Sequence, residues 1–242
     1  MENHPRIDKN NTIIKKSKII LGSFPTWALT NPDPEKNETF KEKENERMKN
    51  GDLHFFYGSS TNKFWLWYQK YIDQKVAKND IHSLINSLEN NSIGITDVIM
   101  SCNRKNKSSL DKHLTNRLYN HHFFQIPKTG GKIKILCTSK GVMNEMLLNT
   151  QFFKMHNNLT LNLEKSLILQ NQIIQDIMCD TELIKKPICS VINVNSGGTI
   201  ECIAIPSPGS PYRRLIDFGF NCNDADNFLN NYLKATFKWF SN

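Results

Sequence analysis

The chain has 242 residues, of which 38% are hydrophobic, 10% aromatic and 22% charged, a balance that can fill a core and argues against general disorder. No stretch nears the roughly 20 apolar residues needed to span a bilayer, so no membrane partner is expected. With 31 Lys+Arg against 23 Asp+Glu the formal net charge is +8, which suits a polyanionic partner, although a Lys- and Asn-rich composition makes a chain basic without one.

Residues 1–17 are polar, lack the apolar run of a signal peptide and read as an N-terminal tail. Residues 18–21 (KIIL) read as a buried strand that feeds a loop at Gly22-Ser23-Phe24-Pro25. Residues 31–51 are rich in Lys and Glu and read as a solvated loop with a helical piece, or as a lid. An aromatic segment follows, in which Phe64, Trp67, Tyr68 and Tyr71 recur at i, i+3, i+4 and i+7, the spacing of one helix face; Trp65 and Trp67 are therefore expected in the core. Residues 81–88 repeat a helical pattern, and 93–99 read as a turn into a buried strand. Residues 132–137 (KIKILC) form a strand, the loop Thr138-Ser139-Lys140-Gly141 follows, and a helix is expected from 142 to about 148. Residues 159–178 carry Leu and Ile at helical spacing. Strands are expected at 191–194 and 199–205, the second ending in Pro206-Ser207-Pro208-Gly209-Ser210-Pro211, too proline-rich to continue it. Residues 224–240 form a closing helix.

Strands alternating with helices predict a three-layer α/β/α sandwich with a central, mostly parallel sheet, built as a single domain over 18–242 with insertions near 31–51 and 150–187. Ligands of such sheets bind outside the carboxyl ends of the strands, here the loops that begin at Gly22, Asp97, Thr138 and Pro206. The cysteines Cys102, Cys137, Cys179, Cys189, Cys202 and Cys222 form no C-x-x-C pair, which argues against zinc, iron–sulfur and disulfide scaffolds and fits a reducing, cytoplasmic setting. Adjacent His121 and His122 diverge and make a poor metal pair, and no metal is expected.

Three segments, in order, carry a resemblance. Leu21-Gly22-Ser23-Phe24-Pro25, Tyr57-Gly58-Ser59-Ser60-Thr61-Asn62-Lys63-Phe64-Trp65 and Ile205-Pro206-Ser207-Pro208-Gly209-Ser210-Pro211-Tyr212-Arg213 resemble motifs of the uracil-DNA glycosylase superfamily, nearest its hypoxanthine- and mismatch-type branch. Weaker matches are Gly94–Val98 before Arg104 and Ser108-Ser109, and the strand segment KIKILCTSK. The resemblance implies a monofunctional enzyme that flips a base from DNA and hydrolyses its N-glycosidic bond, with no cofactor, acting as a monomer on duplex DNA. Hypoxanthine and uracil are the implied targets; a bulky modified base in phage DNA, and hence a defence role, is the variant that the insertions suggest.

On this reading Asn62 is the polar catalytic group, or an N-cap of the aromatic helix. Asp97 is a second acid–base candidate, or a chain-turning residue. Gly22 and Ser23 let the backbone approach the base. Tyr57 is its stacking platform or a core residue, with Phe24 the rival platform. Ser207, Pro208, Gly209 and Ser210 grip phosphates from a rigid loop, and Lys140 and Arg213 add charge. Tyr212 or Arg213 fills the vacated stack, since Gly209 has no side chain to do so. The motifs depart from the uracil enzymes in two places: the first loop has no Asp or Asn, and Ile205 stands where they carry a His. The alternative is a DNA-binding module that kept the fold and lost catalysis; a basic α/β protein acting on small nucleotides or none is a third reading.

Overall fold

The computed structural model describes residues 1–7, 16–30, 48–105, 111–120, 130–148, 153, 156–177, 187–213, 215–220 and 223–242. Nine strands occur among them: β1 Glu2–Asn3, β2 Lys18–Gly22, β3 Ile93–Asp97, β4 Ile99–Arg104, β5 Leu114–Tyr119, β6 Lys132–Cys137, β7 Leu159–Asn162, β8 Cys189–Val194 and β9 Thr199–Ala204. The main helices are α1 Phe64–Tyr71, α2 Ile81–Asn90, α3 Lys140–Leu148, α4 Leu163–Ile177 and α5 Ala225–Ser241. Among the described residues no helix is long and apolar enough to cross a membrane.

The expectation of a mixed α/β domain with a mostly parallel central sheet holds. Six strands lie in the order β3-β2-β6-β9-β8-β7. β3, β2, β6 and β9 run parallel to their neighbours, and β8 and β7 close the sheet antiparallel. Ile19, Ile20 and Leu21 are all fully buried, as is nearly all of β3. Successive strand residues point to opposite faces, so this sheet is covered on both. The aromatic helix behaves as its spacing demands: Phe64, Trp65, Trp67 and Tyr68 are buried, and the Trp65 indole donates to the Phe56 carbonyl at 2.7 Å.

The structure corrects three expectations. The polar start of the chain is not wholly a tail. Its residues Glu2 and Asn3 pair with Cys102 and Ser101 of β4, and Arg104 Nε donates to Glu2 Oε2 at 2.9 Å. β1, β4 and β5 thus make a second, three-stranded sheet. Residues 93–99 are not a turn that enters a strand: β3 already begins at Ile93 and ends at Asp97, and β4 departs at Ile99 into the small sheet. The helix expected over 159–178 begins only at Leu163, because Leu159–Asn162 is an edge strand paired with β8 and the Asn162 side chain caps α4, accepting from Lys165 N at 2.9 Å. Residues 31–47, His121, His122, Ser108, Ser109, Cys179 and Cys222 lie outside the described residues. The four described cysteines are buried and free of disulfides.

Candidate functional site

Parallel register brings the carboxyl ends of β2, β3, β6 and β9 to one edge of the sheet, with Gly22 beside Asp97 and Leu21 beside Cys137. The loops that leave these ends surround a cleft of about 1470 Å³. Ser23, Phe24, Tyr57, Asn62, Asp97, Lys140, Ser207, Pro208, Gly209, Ser210 and Arg213 all line it. Tyr212 does not: it is exposed and its hydroxyl donates to the Asp226 carboxylate. Gly22 lies beneath the cleft rather than on its wall.

The two distant motifs are tied together directly. Lys63 N donates to the Pro208 carbonyl at 3.1 Å, so the segment before α1 and the proline-rich loop form one rim. The second loop is a tight turn on its own account, with Ser210 N bonded to the Ser207 carbonyl at 3.0 Å and Arg213 N to that of Ser210 at 3.1 Å. The hydroxyl-bearing residues Ser207 and Ser210 are exposed while Pro208 and Pro211 are buried, so the prolines anchor the turn and the serines face outward. Opposite, Ser139 caps α3, its Oγ accepting from Val142 N at 3.0 Å. Lys140 Nζ donates to the Asp217 carbonyl at 3.2 Å and rides 5.8 Å over the Phe218 ring.

Asn62 does cap α1. Its Oδ1 accepts from Phe64 N at 2.9 Å, which leaves the side-chain NH2 to address the cleft. Asn62→Ala is accordingly expected to cost about 1 kcal/mol of stability, read as a lower urea midpoint, and to weaken or abolish any reaction that needs that NH2.

The centre of the cleft floor is Asp97. It is 3% exposed, its Oδ2 is 2.9 Å from His4 Nε2, and its backbone is braced by Asn120, whose side-chain NH2 donates to Asp97 O at 3.3 Å and to Thr96 Oγ1 at 3.1 Å. Its other oxygen, Oδ1, is buried with no hydrogen-bond partner, and so is the Tyr57 hydroxyl. A buried polar atom without a partner is costly. Both atoms crowd Gly22: a Cβ there would stand 2.1 Å from Asp97 Oδ1 and 2.5 Å from Tyr57 Oη. Burial pushes the Tyr57 phenol well above its ordinary value, and the charge of Asp97 adds to the shift. Tyr57 is therefore an un-ionised donor close to a buried, unpartnered acceptor. Thr138, its other neighbour, has donated its own proton to the Leu21 carbonyl at 3.2 Å.

Tyr57 holds this place at a conformational cost. Its φ is +54°, a left-handed value that costs a bulky residue about 1–3 kcal/mol. The turn around it compensates: Leu53 N bonds the Gly58 carbonyl at 2.7 Å, Gly58 N bonds that of Phe55 at 3.0 Å, and Phe64 packs on the Tyr57 ring with centroids 4.6 Å apart.

Sequence reasoning missed His4 altogether and passed over Thr138 and Ser139 as wall residues. Ile205 is fully buried and gives the cleft nothing polar. Comparison with protein families, with curated proteins and with solved structures finds no match to this chain.

Proposed function

We propose that the chain is a monofunctional DNA glycosylase with a fold of the uracil-DNA glycosylase type, acting on a damaged or modified base in duplex DNA as a monomer and leaving an abasic site. The observation that carries this reading is the Asp97 oxygen left without a hydrogen-bond partner at the floor of a cleft bordered by all three motif loops. Base release needs a base for the attacking water and a pocket for the flipped nucleotide. Asp97 Oδ1 takes a proton from water as the water oxygen bonds to C1′. The C1′–N bond breaks, and its electron pair leaves with the base. The NH2 of Asn62 donates to the departing base, a task that Ile205 cannot perform, and Tyr57 and Phe24 flank it. Ser207, Ser210 and Arg213 hold the flanking phosphates. The cleft exceeds the roughly 300–1,000 Å³ usual for small-molecule sites, which favours a base with a bulky substituent, of the kind carried by phage DNA, and a role in defence as well as in repair.

The test is incubation with duplexes containing hypoxanthine, uracil, xanthine or phage-type modified cytosines, followed by heating in alkali. Strand breakage at the altered base supports the reading. Salt-sensitive binding without breakage on any of them overturns it in favour of the non-catalytic module, which the loss of polarity at position 205 favours. Arg213→Ala should weaken DNA binding evenly across sequences and lower the slope of log K against log salt by about 1, measured by fluorescence anisotropy.

A further inference from the structure

Nothing above uses the first seven residues for chemistry, yet they reach into the cleft. His4 is 5% exposed, and its backbone N is fixed to the Met100 carbonyl at 2.9 Å as β1 joins the small sheet. Its ring nitrogens have separate partners. Nδ1 accepts from Arg6 N at 3.0 Å, so it carries no proton. The proton of the neutral imidazole then sits on Nε2 and is donated to Asp97 Oδ2. The ring lies in an aromatic slot, its centroid 6.0 Å from that of Phe24 and 5.2 Å from that of Phe56. Arg6, next along, donates to the His54 carbonyl and lies 5.0 Å over Phe55, which locks the segment down.

We infer that His4 is a positioning residue of the reaction: it holds Asp97 Oδ2 through its Nε2–H, so that the carboxylate at the cleft floor keeps one rotamer with Oδ1 left unpartnered. This rests on the glycosylase reading and extends it, since it makes the N-terminal strand part of the site. Both residues border the cleft, and the imidazole meets the carboxylate at Oδ2 alone. His4 therefore moves no proton itself; Asp97 takes the proton from water while the Nε2–H stays in place. A carboxylate that shares one oxygen with a fixed donor has one rotamer and one free oxygen, which is the preorganisation that proton abstraction requires.

The experiment uses the full chain and the best-cut duplex from the test above. His4→Ala should lower the single-turnover rate at saturating protein by about 10²-fold, the scale of a misplaced reacting group, with the concentration for half-saturation unchanged. Free imidazole should enter the vacated aromatic slot and restore the rate in proportion to its concentration, and His4→Gln, which keeps a side-chain N–H, should retain more activity than His4→Ala. A structural role would be insensitive to imidazole, so a rate loss that neither imidazole nor His4→Gln relieves overturns the inference. Equal saturated rates for His4→Ala and the unaltered protein overturn it too, and leave the glycosylase reading standing. No cutting by the unaltered protein on any duplex removes that reading, and the inference with it.

Discussion

Asp97→Asn is expected to slow base release by about 10²–10⁴-fold, the usual share of a general base, while leaving DNA affinity close to that of the parent. The substitution keeps size and shape. Asparagine can still accept the His4 Nε2–H through its own oxygen, so the 2.9 Å contact has a replacement and the floor of the cleft survives. What is lost is the ability of the second atom to take a proton: an amide nitrogen donates and does not accept. It would point toward the Tyr57 hydroxyl and Gly22, where a carboxylate oxygen now sits buried without a partner. Two measurements decide the matter. Single-turnover cutting reports the chemistry, and anisotropy at fixed salt reports binding. A variant that cuts at the parental rate would take Asp97 out of the reaction and return the role to Asn62, whose Oδ1 is already occupied by Phe64 N.

The parts of this molecule that were legible in the sequence are those written in short-range pattern. KIIL is an apolar, β-branched run and KIKILC alternates Lys with Ile before it turns fully apolar, both patterns of a strand, and the proline-rich run at 206–211 could only be a rigid loop. Because parallel strands deliver their carboxyl ends to one edge, locating four such ends was enough to gather most of the cleft. What was not legible depends on contacts between distant residues. His4 meets Asp97 across 93 positions, from a strand only two residues long, and no periodicity announces it. The edge strand Leu159–Asn162 was hidden because Leu159, Leu161, Leu163 and Leu167 fit a helical face as well as an alternating strand. Asn162 was the available signal, an N-cap residue placed where α4 in fact starts. The small sheet was hidden for a different reason: Leu114–Tyr119 is half exposed and its polar alternation resembles a loop. Asp97 was visible as a candidate only through its motif; its burial and its idle oxygen come from packing.

Gly22→Ala should damage both stability and activity, by about 1–3 kcal/mol in the first, as overpacking does, and by about 10²-fold or more in the second. The new Cβ would lie 2.1 Å from Asp97 Oδ1, 2.5 Å from Tyr57 Oη and 2.8 Å from Tyr57 Cε1, so something has to shift. Neither neighbour yields cheaply. Asp97 is pinned by His4 and Asn120. Tyr57 sits in a turn whose next residue, Gly58, already packs so closely that a Cβ there would meet the Leu53 carbonyl oxygen at 2.0 Å. The strand itself is fixed by pairing on both sides, which leaves displacement of the carboxylate or the phenol as the available relief, and each moves a group the reaction needs. Gly209→Ala supplies the contrast in stability, because nothing lies within 4 Å of a Cβ at that loop tip and its urea midpoint should match the parent. If Gly22→Ala unfolds at the parental midpoint and cuts at the parental rate, Asp97 and Tyr57 are not held against that strand end, and the geometry assigned to the floor of the cleft is wrong.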